Sequence, residues 1–183
     1  MCGIVGIISF LSEADKVNLQ NLSDTLLHRG PDEYGSFQNG KVAFGSRRLA
    51  IIDVSGGQQP YFNESRNLVV IFNGQIYNFL ELQRIVVSHG HALNSNTDGE
   101  VISHLFEIYG PSFVNLLSGM FAIGIWDNNS DELHLFRDRL GKKPLNYMIR
   151  ENEFIFASEI KAILEHIRND QCEVSESALI HFL

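Results

Sequence analysis

The 183-residue sequence lacks the features that identify several large classes of protein. Its 14 Lys and Arg residues are outnumbered by 22 Asp and Glu residues, giving a net charge of −8, so nucleic-acid binding is not expected. No apolar run approaches the roughly 18 residues of a membrane helix, and no basic region opens the chain as in a signal peptide. Two cysteines, Cys2 and Cys172, do not form a disulfide framework. We therefore expect a soluble, reduced, cytoplasmic protein with no nucleic-acid or membrane partner.

Apolar residues make up 44% of the chain and charged residues 20%, which is ordinary globular usage and enough to build a core. No repeat or linker divides the sequence, so we expect one domain over residues 1–183. An apolar helical pattern that begins at Ser175 runs to the end of the sequence. This pattern predicts that the domain is the N-terminal part of a longer chain.

Strand and helix patterns follow one another in blocks. Strands are predicted at 2–10, 41–52, 67–73, 120–127, 132–137, 144–149 and 153–157. Helices are predicted at 17–28, 78–88, from Thr97 (where residues 97–100 have the form of a capping box), at 158–167 and from Ser175. Because βαβ units are few, the order favours antiparallel sheets with helices outside them over a parallel nucleotide-binding sheet.

Cys2 is the residue that most directly suggests catalysis. If Met1 is removed, the thiol and a free α-amino group belong to the same residue. An α-amino group has an ordinary pKa of about 7.7–8.0, so it can accept the thiol proton near neutral pH. Gly3 leaves room for a substrate carbonyl beside the thiol. Taken alone, Cys2 is more readily interpreted as a buried, inert cysteine.

Asn73 and Gly74 follow an apolar strand pattern. An Asn amide and a Gly backbone N–H can together stabilise a developing oxyanion, and glycine permits close approach. Asn-Gly is also the strongest short signal for a hairpin turn. On these two residues alone, a turn is the favoured interpretation.

Arg48 and Asp98 could bind the two charged groups of a free amino acid. A guanidinium binds a carboxylate through two parallel hydrogen bonds, and a carboxylate binds an ammonium group. The alternatives are ordinary: Asp98 caps the helix predicted from Thr97, and Arg48 is a solvated strand residue beside Arg47.

Other motifs fail. The segment 55–57 is followed by Gln58-Gln59-Pro60 in place of the Asp-Ser of a pyrophosphate-binding loop, and no Gly-x-x-x-x-Gly-Lys-Ser/Thr loop exists, so no ATP site is expected. His89 and His91 have no cysteine or clustered acidic partner at metal-ligand spacing. We interpret them as loop histidines, predict no metal site, and expect Cys172 to be an ordinary free thiol.

In combination, the motifs resemble the glutaminase (class II glutamine amidotransferase) domain of asparagine synthetases, an N-terminal nucleophile (Ntn) hydrolase. The matching segments run in order through the chain: MCGIVG at 1–6, HRGPD at 28–32, RLAIID at 48–53, QP at 59–60, NGQIYN at 73–78, TDGEVI at 97–102, GMFA at 119–122, RDRLGKKPL at 137–145 and ASEIKA at 157–162. Sugar-phosphate and phosphoribosyl amidotransferases resemble the chain less well at 29–32 and 48–53.

The resemblance implies an α+β fold, a four-layer αββα sandwich of two mostly antiparallel sheets. It also implies hydrolysis of glutamine to glutamate and ammonia through a glutamyl thioester on Cys2, with Asn73 and Gly74 as the oxyanion hole. The substrate-binding residues that it implies are Arg48 for the carboxylate, Asp98 for the α-ammonium group, and Leu49, Ile52, Asn73, Gly74 and Gln75 around the pocket. Gln75 stands where the family usually has Glu, so weaker glutamine binding is expected.

The resemblance also implies partners. They are L-glutamine and a C-terminal ATP-dependent synthetase domain that receives the ammonia. ATP and Mg²⁺ are expected only in that domain, so no cofactor is expected in this segment. A homodimer is possible. The acceptor is open between aspartate and another molecule, such as a glycan or a natural-product carboxylate. A catalytically weak or silent amino-acid-binding module of the same fold is the alternative, favoured by Gln75 alone.

Overall fold

The computed structural model describes residues 1–54, 56–167 and 175–182, so Ser55 and Cys172 lie outside the described residues. The strands are β1 (Gly3–Ser9), β2 (Glu33–Gln38), β3 (Val42–Arg48), β4 (Tyr61–Phe62), β5 (Leu68–Ile76), β6 (Gly119–Asp127), β7 (Glu132–Arg137), β8 (Asn146–Ile149) and β9 (Glu153–Ala157). The α-helices are α1 (Leu19–Asp24), α2 (Phe79–Ser88), α3 (Val101–Tyr109), α4 (Ile160–His166) and α5 (Glu176–Phe182).

The strands form two antiparallel sheets. One sheet has the order β2-β3-β1-β9-β8, and the other has the order β4-β5-β6-β7. In the first sheet β1 is central and pairs with β3 on one side and β9 on the other. In the second, β5 and β6 pair along nine residues each, from Leu68 opposite Asp127 to Ile76 opposite Gly119.

Alternating side chains of the strands build the layers. Ile4 and Ile8 of β1 lie in a core between the two sheets, whereas Val5 and Ile7 lie in a second core under α1 and α4. A third core lies between the outer face of the β5–β6 sheet and helices α2 and α3. Since residues of a strand point alternately to the two faces, each sheet is covered on both sides. The four-layer αββα arrangement predicted above is confirmed.

The prediction of a helix from Thr97 is wrong. Helix α3 begins at Val101, and its first turn has no side-chain cap. The carboxylate of Glu100 instead accepts hydrogen bonds from the backbone N–H groups of Asn94 and Ser95. The capping box does not form because Glu100 satisfies donors of the preceding loop rather than the N–H of Thr97.

Three other element predictions need correction. The strand predicted at 41–52 ends at Arg48, because its partner strands β1 and β2 begin opposite Arg47 and Arg48. The helix predicted at 17–28 is shorter: the side chain of Asn18 caps α1 by accepting from Asn21 N–H, α1 ends at Asp24, and turns follow. The strand predicted at 67–73 is longer, because β5 continues to Ile76. Strands β2 and β4 were not predicted. Among the described residues, no helix has the length and apolar character that crossing a bilayer requires.

Candidate active site

Cys2 and Arg48 lie side by side at one end of the space between the two sheets, as the alternation of strand residues requires. Ile4 and Phe44 lie in the core between the sheets. Cys2 and Arg48 continue the same alternation at the ends of β1 and β3, so both side chains turn toward the space between the sheets. Gly3 pairs with Arg47 in the β1–β3 register, so Cys2 and Arg48, one residue further along each strand, stand opposite one another.

A cavity of about 100 Å³ lies at this end of the sandwich. The structure brings all of the predicted site residues to its wall, namely Cys2, Arg48, Leu49, Ile52, Asn73, Gly74, Gln75 and Asp98. These residues come from four separate segments of the chain, so the fold gathers them.

Cys2 is fixed at the cavity wall by its neighbours. Its thiol lies 3.9 Å from the carbonyl oxygen of Leu49, and its own carbonyl accepts a 3.0 Å hydrogen bond from Arg29 Nε. Burial raises the pKa of the Cys2 thiol, and burial also lowers the pKa of the Met1 amino group beside it. Both shifts favour the neutral forms of the two groups.

The side-chain amide of Asn73 is buried at the cavity wall. Its side chain is fully buried, and neither Nδ2 nor Oδ1 has a hydrogen-bond partner within the described part of the chain. A buried amide without partners destabilises a fold by about 1–3 kcal/mol, so such groups are rare. A ligand in the cavity could supply the missing partner. The turn interpretation of Asn73 and Gly74 is wrong, since both residues lie inside β5.

Gly74 directs its backbone N–H away from β6. Its cross-strand neighbour Phe121 instead exchanges hydrogen bonds with Asp138: Phe121 N–H donates to Asp138 Oδ2 (3.3 Å), and Asp138 N–H donates to Phe121 O (2.8 Å). Successive residues of a strand face opposite neighbours, so Gly74 faces the outer edge of β5. A Cβ at position 74 would lie 2.3 Å from the Met120 carbonyl oxygen, which explains the glycine.

Side chains occupy the N–H groups on both sides of Gly74 along that edge. The N–H of Phe72 donates to Gln59 Oε1, and the N–H of Ile76 donates to Asp98 Oδ2, each at 2.8 Å. The N–H of Gly74 lies between these two and borders the cavity. An amide N–H from Gly74 and an amide NH₂ from Asn73 can therefore act on one ligand oxygen.

Arg48 is buried and held by three hydrogen bonds. It donates to Glu33 Oε2 (2.8 Å) and to the carbonyl oxygens of Ile52 (3.0 Å) and Asp53 (2.8 Å). A guanidinium has five N–H groups, so the described contacts leave two for a ligand carboxylate. The interpretation of Arg48 as a solvated strand residue is wrong, because its exposed fraction is 5%.

Asp98 faces the cavity rather than a helix end. Its carboxylate accepts from Ile76 N–H, and α3 starts only at Val101, so the capping interpretation is wrong. Burial raises the pKa of Asp98, which is 8% exposed. A cationic group placed beside this carboxylate would favour its ionised form.

Sequence reasoning missed three residues that shape the site. Glu33 pairs with Arg48, Gln59 makes two hydrogen bonds with the backbone of Phe72, and Lys143 is a buried ammonium whose Nζ lies 3.0 Å from Met1 Sδ. Burial lowers the pKa of Lys143. Gln59 and Lys143 belong to motif segments quoted above, whereas no local signal marks Glu33, because β2 was not predicted.

Comparison with known proteins gives consistent matches. A family model described as a glutamine amidotransferase domain matches residues 1–183. The chain is 44% identical to asparagine synthetase [glutamine-hydrolyzing] 2 of Bacillus subtilis over 91% of its length, and 38% identical to asparagine synthetase [glutamine-hydrolyzing] 1 of Arabidopsis thaliana over 97%. These alignments cover 22% and 30% of the two relatives, so the chain spans less than a third of their length.

A solved structure shows the same fold. The glutamine phosphoribosylpyrophosphate amidotransferase from B. subtilis superimposes with a TM-score of 0.74 at 23% sequence identity. The match covers 91% of this chain and 44% of that one. The Ntn-type sandwich implied by the motifs is therefore confirmed at the level of the fold.

Proposed function

Because the chain belongs to the glutamine amidotransferase domain family, we propose that it hydrolyses L-glutamine to glutamate and ammonia as the glutaminase part of an asparagine synthetase. The observation that carries the proposal is the buried, unpartnered amide of Asn73 on the wall of the cavity that Cys2 also lines. An amide in that position is suited to an oxyanion formed at the thiol.

Arg48 and Asp98 orient the substrate in this proposal. The two remaining N–H groups of Arg48 bind the α-carboxylate of glutamine, and the carboxylate of Asp98 binds its α-ammonium group. Both charges are buried, so their contacts with the substrate are only weakly screened by water. With the amino-acid end fixed, the side-chain amide of glutamine reaches Cys2.

The first chemical step forms a thioester. The α-amino group of Cys2 accepts the thiol proton, Sγ bonds to the amide carbon, and the carbonyl electron pair moves to oxygen. Asn73 Nδ2–H and Gly74 N–H donate to this oxyanion. When the oxyanion collapses, the C–N bond breaks, the proton passes from the α-ammonium group to the leaving nitrogen, and ammonia departs.

The second step releases glutamate. Water gives a proton to the α-amino group of Cys2 and bonds to the thioester carbon, and the same two donors stabilise the second oxyanion. Collapse breaks the C–S bond, and the thiolate regains a proton. The atoms balance as glutamine plus water giving glutamate plus ammonia.

Removal of Met1 is part of the proposal. With Met1 present, the free amino group belongs to the wrong residue, and the Met1 side chain takes up part of the cavity wall against Lys143. Its removal supplies the base and enlarges the space beside the thiol.

The proposal extends to partners outside this segment. Ammonia passes to an ATP-dependent synthetase domain, where ATP and Mg²⁺ act and aspartate is the acceptor. The matched region is 22% and 30% of the two curated relatives, so most of each relative lies outside it and leaves room for such a domain. We further propose that the protein acts in the reducing cytoplasm, where a free Cys2 thiol persists.

Intact mass combined with glutamate release tests the function. The purified wild-type protein should lack Met1 and should gain the mass of one adduct when it is incubated with a diazoketone analogue of glutamine. A parallel sample without the analogue should release glutamate from glutamine. Cys2→Ser should lose the adduct and turnover, whereas Cys172→Ser, which removes the other thiol of the sequence, should keep both. A processed chain with neither adduct nor turnover would instead support the silent amino-acid-binding module.

A further inference from the structure

A second cluster of chemically active side chains lies away from the catalytic cavity. It consists of Glu64 from the β4–β5 connection, His91 from the segment after α2, and His104 and Glu107 from α3. One ligand atom from each residue lies within 4.8 Å of the other three. None of the four residues lines the cavity that contains Cys2.

The carboxylate of Glu64 joins the two imidazoles. Its Oε1 lies 3.1 Å from His91 Nδ1, and its Oε2 lies 3.2 Å from His104 Nδ1. The two imidazole ring centres are 5.1 Å apart. Two nitrogen donors and a carboxylate thus already converge on one point.

His104 carries the independent observation. Its side chain is fully buried, and neither ring nitrogen has a hydrogen bond of acceptable geometry among the described residues. Glu64 Oε2 lies 3.2 Å from His104 Nδ1, which is a close contact but not a hydrogen bond. A buried imidazole without a hydrogen bond is costly, and a ligand on its lone pair would satisfy it.

Other groups orient the two carboxylates. Asn63 Nδ2 donates to Glu107 Oε2 at 2.9 Å, and Ala92 N–H donates to Glu64 Oε1 at 3.0 Å. Asn63 is itself buried and accepts from Leu68 N–H. Hydrogen bonds of this kind to ligand side chains are typical of metal sites, where they fix ligand direction.

We propose that Glu64, His91, His104 and Glu107 bind a divalent transition-metal ion, and that Zn²⁺ is the ion that fits. Two imidazoles and two carboxylates form a four-ligand nitrogen and oxygen set, whereas Mg²⁺ and Ca²⁺ prefer oxygen ligands. Zn–ligand bonds of about 2.0–2.1 Å in a tetrahedron place ligand atoms roughly 3.3 Å apart, close to the two Glu64–His distances.

The proposed ion has a structural role. All four coordination positions come from the protein, which is typical of a closed zinc site without an open catalytic position. It links the β4–β5 connection and the segment after α2 to one face of α3, where His104 and Glu107 are three residues apart. The segment between His91 and α3 contains Asp98, so the ion would restrain the loop that brings Asp98 to the cavity.

The sequence around His91 contains no partner at metal-ligand spacing. Such partners exist in the structure, but Glu64 and His104 are 27 and 13 residues away along the chain. No local spacing rule detects such a set, so the earlier prediction that the segment has no metal site conflicts with the proposal.

Zinc uptake by the purified protein tests the site. The protein is stripped with a chelator and dialysed against Zn²⁺, its metal content is measured, and its melting temperature is followed as Zn²⁺ is added. We expect one tightly bound Zn²⁺ per chain, a melting temperature that rises with Zn²⁺, and d–d absorption of a tetrahedral site when Co²⁺ replaces zinc.

Two partly exposed ligands are suitable for variants that keep the fold. His91→Gln and Glu107→Gln should each weaken Zn²⁺ binding at least about ten-fold, and the amide oxygen of the second can still accept from Asn63. His89→Gln is the matched control, since His89 lies two residues from His91 outside the cluster and should bind Zn²⁺ as the wild type does. Absence of stoichiometric Zn²⁺, or equal Zn²⁺ affinity in all three variants, would overturn the proposal and show a metal-free cluster.

Discussion

Glu33 and Arg48 stand directly opposite one another in the β2–β3 pair, and their side chains meet at 2.8 Å. The carboxylate holds one arm of the guanidinium while the carbonyls of Ile52 and Asp53 hold the other. The direction of the remaining N–H groups of Arg48 is therefore set before any ligand arrives. Pre-organisation of this kind reduces the entropy lost on binding.

Glu33→Gln should raise the KM for glutamine about ten-fold with little change in kcat. The amide keeps an acceptor but loses the charge, and a hydrogen bond between charged groups is worth roughly 1–2 kcal/mol more than a neutral one. Steady-state glutaminase kinetics provide the measurement. Asp131→Asn, which removes the charge from an exposed pair with Lys41, is the control and should leave KM unchanged. An unaltered KM in Glu33→Gln would exclude the positioning role.

Asn73→Ala should lower kcat by about 10²–10³ without lowering the melting temperature. Loss of one oxyanion donor typically has that kinetic effect. The amide makes no hydrogen bond in the described structure, so its loss breaks none. Asn128→Ala is the contrasting control: Asn128 accepts from Trp126 Nε1 and donates to Asn67 O, so stability should fall by about 1–3 kcal/mol without loss of kcat. Equal melting losses in the two variants would contradict this view of Asn73.

Gln75→Glu should lower the KM for glutamine roughly ten-fold. Gln75 lines the cavity with Asp98, and a second carboxylate there would add a charged contact to the substrate ammonium, worth about 1–2 kcal/mol. Gln58→Glu adds the same charge at an exposed position and should have no such effect. If KM does not respond in Gln75→Glu, the amide at this position does not limit binding.

Glu159 makes stability depend on pH in the acid range. Burial opposes its ionisation, but hydrogen bonds from Arg29, Lys161 and His28 prevail and lower the pKa of Glu159 to about 2. A carboxyl group whose pKa is lower in the folded state stabilises the fold at pH values above its unfolded-state pKa, which is about 4.5. This stabilisation is lost as the pH falls toward 2.

Glu159→Gln should therefore melt several degrees lower than the wild type at pH 7, with the difference shrinking as pH falls from about 4.5 to 2. Thermal unfolding followed by circular dichroism across that range is the measurement. Glu151→Gln changes an exposed carboxyl eight residues earlier in the chain and should melt with the wild type across the range. A gap between Glu159→Gln and the wild type that stays constant with pH would rule out the linkage.

Apolar strand patterns made much of the sandwich predictable. Strands β7 and β9 occupy the predicted residues, and β6 differs by one, because each has residues that pack on both faces. Strand β2 escaped prediction because its sequence EYGSFQ is polar and its side chains are half-exposed. Residues 33–38 form a strand because they pair with β3, and this pairing depends on the tertiary fold rather than on their own sequence.

The site was predictable in residue identity but not in contacts. The motifs placed Cys2, Asn73 and Asp98 on one cavity wall, as the structure has them. The turn predicted at Asn73 and the helix cap predicted at Asp98 are absent from the described residues for one reason. Hydrogen bonds between residues distant in sequence outweighed the local turn and cap preferences. The extension of β5 to Ile76 and the bond from Ile76 N–H to Asp98 are both of this kind.

The open edge of β5 has a consequence for association between molecules. Strand β4 pairs with Val69 and Val70 of this edge. The edge continues to Ile76, and another strand could pair with the backbone N–H groups there. Gln59 and Asp98 occupy the N–H groups of Phe72 and Ile76 with side-chain oxygens. An incoming strand would have to displace both, so the two side chains on either side of the Gly74 N–H also protect the sheet edge against aggregation.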